Sequence, residues 1–83
     1  MTDNTYNGWK NRQTWNVALW INNEESLYRA AVEFMKTYKG KKPYGTFIRK
    51  NYLSGCRTPD NISYSGTRLD YKALNEMMQE LVS

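Results

Sequence analysis

The chain has 83 residues, with 12 lysines and arginines against 8 aspartates and glutamates, which gives a formal net charge of +4. It contains no histidine and one cysteine, and this composition removes most metal and general acid–base chemistry. The length fits a single domain over residues 1–83, in which 14% aromatic residues supply the large side chains that a small core needs. Residues 1–6 are polar and without periodicity, so we expect them to be frayed.

The first predicted element is a helix over 12–21. Asn11 has the residue type and position of its N-cap. Apolar residues cover most of the helix circumference, which predicts that this helix is innermost and that Trp15 and Trp20 belong to the core. The apolar run 17–21 also fits a strand, but a length of about ten residues and the capping asparagine favour the helix.

The second predicted helix covers residues 23–39. Asn22 is its expected cap, because Glu25 follows three residues later with the spacing of a capping box. Gly40 has the residue type that ends helices. An apolar stripe at helical spacing supports the assignment: Leu27, Ala30, Ala31, Phe34, Met35 and Tyr38.

Two further helices are predicted, over 43–53 and 70–82. Pro43 suits the first position of the third helix, and Asp70 suits the cap of the fourth. Their expected buried faces consist of Tyr44, Phe47, Ile48 and Tyr52, and of Tyr71, Leu74, Met77, Met78 and Leu81. Residues 56–68 between them form a loop whose length is typical of functional loops. The expected fold is therefore an all-α, compact bundle of about four short helices.

The basic residues are concentrated in one window of the chain. Between Phe34 and Pro59 there is no acidic residue and there are seven basic ones: Lys36, Lys39, Lys41, Lys42, Arg49, Lys50 and Arg57. Tyr44 and other tyrosines alternate with them. We therefore expect a basic binding face around residues 36–57, for which a solvated surface without function is the plain alternative. Trp9, in the segment before the first helix, is the candidate aromatic anchor of an interface.

No catalytic, cofactor or metal site is expected from the remaining polar residues. The pair Glu76 and Glu80 has a spacing at which side chains usually just face water, and Cys56 lacks a neighbouring base. The longest apolar run is far shorter than the roughly 20 residues of a membrane span. A lone cysteine and the lack of a signal-like segment favour the cytoplasm.

The string NGWKNRQTWNVALWI at residues 7–21 resembles the opening of an uncharacterised family of small phage, plasmid and cyanobacterial proteins, which share an NGWxNxxTWNVALWI motif. The likeness resumes in the Thr-Pro-Asp turn at 58–60 and in the Leu-Asp helix start at 69–70. What the resemblance implies is a setting on mobile genomes, where small proteins often bind and inhibit host or defence machinery.

These observations lead to three hypotheses of function, of which the third is a structural role through self-association by exposed aromatic residues. The first is a non-enzymatic binding protein in the host cytoplasm, which engages an acidic or nucleic-acid-mimicking surface of a host or defence protein through the basic face. The second is direct binding of DNA, RNA or a nucleotide by the basic, tyrosine-interleaved region 36–57.

Overall fold

The structure is a computed structural model that describes residues 6–82, and these residues form four α-helices. The helices are α1 (Arg12–Asn23), α2 (Glu25–Thr37), α3 (Pro43–Lys50) and α4 (Tyr71–Glu80). The all-α class and the four-helix organisation are confirmed. None of the helices within residues 6–82 has both the length and the apolar character needed to cross a bilayer.

The helices surround one core in which α2 and α4 hold the central positions. Each of these two contacts all three other helices, whereas α1 and α3 lie on opposite sides of the pair. Helix α1, which was predicted to be innermost, contributes five buried residues, against two from α2, but it packs on one side of the pair. The buried centre combines residues of all four helices with Tyr64 and Leu69 from the last loop.

The inward face of α1 carries polar residues where the sequence suggested tryptophan. Asn11 caps the helix as expected, since its Oδ1 accepts from the Thr14 backbone N–H at 2.9 Å. Thr14 and Asn16 are fully buried, while Trp15 and Trp20 are half-buried at the edge of the helix. The assignment of both tryptophans to the core was therefore wrong, because the hydrogen bonds of Thr14 and Asn16 turn a different side of α1 inward.

The boundary between α1 and α2 differs from the prediction. Asn22 remains within α1, where its Nδ2 donates to the Ala18 carbonyl at 2.8 Å. The cap of α2 is Glu24, whose carboxylate accepts from the Leu27 N–H at 2.9 Å. The Ser26 hydroxyl also donates to this carboxylate and lowers the pKa of Glu24. Glu24 is the cap instead of Asn22 because α1 continues through Asn23, which leaves Glu24 directly before the first residue of α2.

Helix α3 ends at Lys50, three residues before the predicted end. The Leu53 N–H donates to the Ile48 carbonyl at 2.9 Å and the Tyr52 N–H to the Arg49 carbonyl at 3.2 Å, which is the pattern of a Schellman motif. Tyr52 occupies its left-handed position with φ 59, where glycine is the usual residue. Because the chain reverses there, the Tyr52 side chain is 88% exposed and not part of the buried face.

The loop between α3 and α4 contains a short antiparallel turn. Arg57 and Ser63 form an isolated bridge, and the Thr58 N–H donates to the Ile62 carbonyl at 2.8 Å. Three hydrogen bonds between side chains attach this turn to α1. In the first, the Thr58 hydroxyl donates to Asn16 Oδ1 at 2.6 Å. The Asn16 amide and the Trp20 indole both donate to Asp60 Oδ2, at 2.7 Å and 3.0 Å. Helix α1 therefore fixes a segment that lies 40 to 44 residues away in the chain.

A second group of hydrogen bonds attaches the end of the same loop to the first turn of α1 and its cap. The Asn11 Nδ2 donates to the Arg68 carbonyl at 2.7 Å, and the Asp70 N–H donates to Thr14 Oγ1 at 2.9 Å. Asp70 then caps α4 as expected, with Oδ1 accepting from the Ala73 N–H at 3.2 Å. The N-terminal helix thus positions both the loop and the start of α4.

Of the segment 1–6 that was expected to fray, residues 1–5 lie outside the described residues. Tyr6 forms a turn with Trp9, in which the Trp9 N–H donates to the Tyr6 carbonyl at 2.8 Å. The Tyr6 ring lies 4.8 Å from the ring of Trp15, measured between centroids.

Candidate functional site: a basic groove

An open groove of about 700 Å³ lies where the α2–α3 connection meets α3 and the start of α4. We call it the basic groove. Three of the described residues that line it are cations, and none is acidic: Lys41, Lys42 and Arg49. Its other lining residues are Tyr38, Gly45, Thr46, Tyr71 and Asn75.

The α2–α3 side of the groove is built around Tyr38. Helix α2 ends at Thr37 and not at the predicted residue 39, because Tyr38 is already extended. Its ring stacks on Phe34 with centroids 4.9 Å apart, and its hydroxyl accepts from the Lys42 N–H at 3.3 Å. A methyl group on Gly40 would lie 2.5 Å from the Tyr38 Cζ, so glycine lets the chain pass close over this ring without displacing it. This turn of the chain at Gly40 places Lys41 and Lys42 at the groove.

The other side of the groove is formed by α3 and α4. On α3, the Arg49 guanidinium donates to Thr46 Oγ1 at 3.4 Å. On α4, Tyr71 was expected in the buried face but is 38% exposed at the groove. Its hydroxyl donates to the Gly66 carbonyl at 2.7 Å, and partial burial raises its pKa. Tyr71 therefore stays neutral at pH 7 and adds a ring face, without negative charge, to the three cations.

Tyr44 was expected to bind a partner and does not reach the surface. Its ring is fully buried, and its hydroxyl donates to the Tyr64 carbonyl at 2.5 Å. Burial raises the pKa of Tyr44 far above its usual value. Its backbone N–H donates to Asn75 Oδ1 at 2.9 Å, which joins α3 to α4. Tyr44 is thus a structural residue, because the period of α3 points it into the core.

The remaining predicted residues do not line the basic groove. Lys36 forms an ion pair with Glu33 at 3.0 Å on the exposed side of α2. Lys39 and Lys50 are exposed outside the groove. Trp9 is half-buried and lines a different groove, beside Glu76 and Glu80 on the α4 side. The single basic face predicted from the sequence is therefore divided, and Trp9 lies in acidic rather than basic surroundings.

Arg57 lies in a separate cavity of about 320 Å³, which we call the loop pocket. It is open to solvent and is lined by Arg57, by residues 61–63 and 66–69 of the loop, and by Gln13 of α1. The second cation there is Arg68, which the sequence analysis did not select because it lies outside the basic window. Likewise, no sequence signal placed Thr46 or Asn75 at the basic groove, since their positions depend on how α3 meets α4.

The groove has the chemistry of a binding surface. Three cations around one concavity create a positive potential that attracts carboxylates and phosphates. The cysteine of the chain, Cys56, is exposed and lines neither cavity. Among residues 6–82 there is no group of three or more histidine, cysteine, aspartate or glutamate side chains placed to hold a metal ion.

Comparison with known proteins gives one match. A protein-family model described as a family of unknown function (DUF7249) covers residues 2–83. Searches of curated proteins and of solved structures return no match to this chain.

Proposed function

The chain belongs to this family of unknown function, and we propose from the basic groove that it is a non-enzymatic binding protein. In this proposal it acts in the cytoplasm of a host cell on behalf of a phage or other mobile element. It engages an acidic surface of a host or defence protein and modulates that protein. The observation that carries the proposal is the convergence of Lys41, Lys42 and Arg49 on a groove without a lining carboxylate.

Charge and shape support an extended anionic partner. The groove is open to solvent and has room for several side chains. Its lysines are exposed, so they keep their hydration until a partner arrives and contribute mainly to the association rate and to specificity. A partner that presents several carboxylates in a row, as a nucleic-acid mimic does, would meet all three cations at once.

The test is charge reversal with a matched control. The groove variant is Lys41→Glu, Lys42→Glu and Arg49→Glu, and the control variant reverses three exposed cations elsewhere: Lys10, Arg29 and Lys72. Both variants change the net charge equally. We expect affinity capture from host extract, followed by reconstitution with the purified partner, to succeed with the wild type and the control and to fail with the groove variant.

Equal capture by the groove variant and the control would contradict the proposal. Loss of folding is not expected, because exposed charges seldom alter the free energy of unfolding by more than about 0.5 kcal/mol each. A thermal melt of each variant checks this before capture is compared.

Single-stranded nucleic acid is the second candidate, and the Tyr71 ring is the observation that favours it. A half-exposed aromatic face beside cations is the combination on which single-stranded binders stack bases and hold phosphates. A gel-shift titration with single- and double-stranded DNA and RNA at about 50 mM salt tests this, since electrostatic binding is strong there. Retardation that is lost in the groove variant and in Tyr71→Ala supports it, and no retardation of any probe excludes it.

A further inference from the structure

The loop between α3 and α4 is attached to the helices by side-chain hydrogen bonds in both its first and its last part. Its first part is held by the Thr58 hydroxyl on Asn16 at 2.6 Å, and its last part by the Asn11 amide on the Arg68 carbonyl at 2.7 Å. The Tyr71 hydroxyl holds Gly66 from the side of α4 at 2.7 Å. Both walls of the loop pocket are therefore attached to helices.

This attachment uses polar groups in the interior of a small protein. Thr14 and Asn16 are fully buried on α1, where apolar side chains would avoid the loss of hydration. Their hydrogen bonds hold the loop and the start of α4, through Thr58 and Asp70. A rigid loop on a helical scaffold is the arrangement that a binding site needs, because its polar groups then require little ordering when a ligand binds.

Two arginines, Arg57 and Arg68, line the loop pocket. Arg57 is held in place because its Nη1 donates to the Asn61 carbonyl at 3.1 Å, and Asn61 itself has a left-handed backbone with φ 70. Arg68 lines the same pocket, as do the hydroxyl residues Ser63 and Thr67. Two arginines together offer the planar, forked donors that match the oxygens of a phosphoryl group.

The carboxylates nearest in sequence do not neutralise this pocket. Asp60 accepts from Asn16 and Trp20 of α1, and Asp70 caps α4 at the Ala73 N–H. Neither aspartate lines the pocket. The cationic charge of the two arginines is therefore available to a ligand.

We propose that the loop pocket binds the phosphoryl group of a phosphate monoester between Arg57 and Arg68. The volume of about 320 Å³ has room for a small phosphorylated group. The site is separate from the basic groove, since the two share no lining residue. The proposal for the loop pocket therefore does not depend on the proposed function of the basic groove.

The experiment is a titration of the ¹⁵N-labelled chain with O-phosphoserine and with inorganic phosphate at constant ionic strength, followed by NMR of the arginine side chains and loop amides. We expect saturable shifts at Arg57 and Arg68. The variant Arg68→Ala keeps the bond from Asn11, because that bond is made to the backbone carbonyl. We expect it to weaken binding about tenfold or more, in line with the loss of a charge-assisted pair of hydrogen bonds.

Two controls separate this proposal from others. Arg29→Ala removes an exposed arginine on α2 and should leave the affinity unchanged. The groove variant should also bind normally, so that failure of one proposal does not imply failure of the other. The proposal is overturned if the shifts do not saturate, if sodium chloride reproduces them, if they centre on Arg49, or if Arg68→Ala binds like the wild type.

Discussion

Replacing Asn16 by alanine tests whether α1 holds the loop. The side chain is fully buried, and it accepts from the Thr58 hydroxyl while donating to Asp60. Because Thr58 is itself buried, the substitution leaves a hydroxyl without this acceptor and a small cavity beside it. We expect this to lower the free energy of unfolding by about 2–4 kcal/mol.

That loss is large compared with the stability of so small a domain. At roughly 0.05–0.15 kcal/mol per residue, a chain of 83 residues has on the order of 4–12 kcal/mol in total. Urea denaturation at pH 7 measures the change directly. Hydrogen exchange locates it, since the Thr58 N–H, which donates to Ile62, should lose protection first.

Asn23→Ala is the matched control on the same helix. Asn23 is exposed, and its side chain donates to the Leu19 carbonyl at 2.8 Å near the end of α1. Its removal should change the free energy of unfolding by no more than about 0.5 kcal/mol. If Asn16→Ala costs less than about 1 kcal/mol, or no more than the control, then the hydrogen bonds from α1 do not hold the loop.

Two further predictions concern Tyr52 and Asp60. Tyr52→Gly should raise the free energy of unfolding by about 1 kcal/mol in urea titration, because glycine removes the cost of the left-handed conformation and the exposed ring loses little packing. The Asn16 amide and the Trp20 indole lower the pKa of Asp60, so its carboxylate stabilises the fold above the unfolded pKa and ceases to do so as pH falls through the folded value. Asp60→Asn should therefore lower stability at pH 7, and the difference from the wild type should shrink below about pH 4.

Each of these has a clear contrary result. A lower stability of Tyr52→Gly would show that the tyrosine side chain stabilises the end of α3. A difference between Asp60→Asn and the wild type that stays constant from pH 7 to pH 2.5 would show that the charge of Asp60 is not involved.

The helices were predictable because their signals are local. Asn11 and Asp70 cap the helices that follow them by contacts three residues ahead, and such contacts can be read from spacing. The ends of α2 and α3 were less predictable. Tyr38 leaves the helix, and its ring stacks on Phe34 and lies close to Gly40. Tyr52 adopts a conformation that the sequence would assign to glycine.

The positive charge of the basic groove was predictable from the sequence, but the set of residues that line the groove was not. The sequence identified the basic window that holds Lys41, Lys42 and Arg49. It also included Tyr44, which the helical period buries, and Arg57, which the loop carries to another cavity. The sequence analysis assigned Tyr71 to the core. The helical period of α4 does not show which of its residues lie at the open edge of its contact with α3, where Tyr71 is found.

By itself, the sequence determined the helical class, two of the caps and the charge asymmetry, since each depends on residues close together in the chain. The tertiary structure decided the role of the tryptophan-rich motif in α1. Asn16 and Trp20 meet Asp60, and Thr14 meets Asp70, across 40 to 56 residues. A pairing over that separation leaves no periodic trace, so only the folded chain shows that the motif holds a loop.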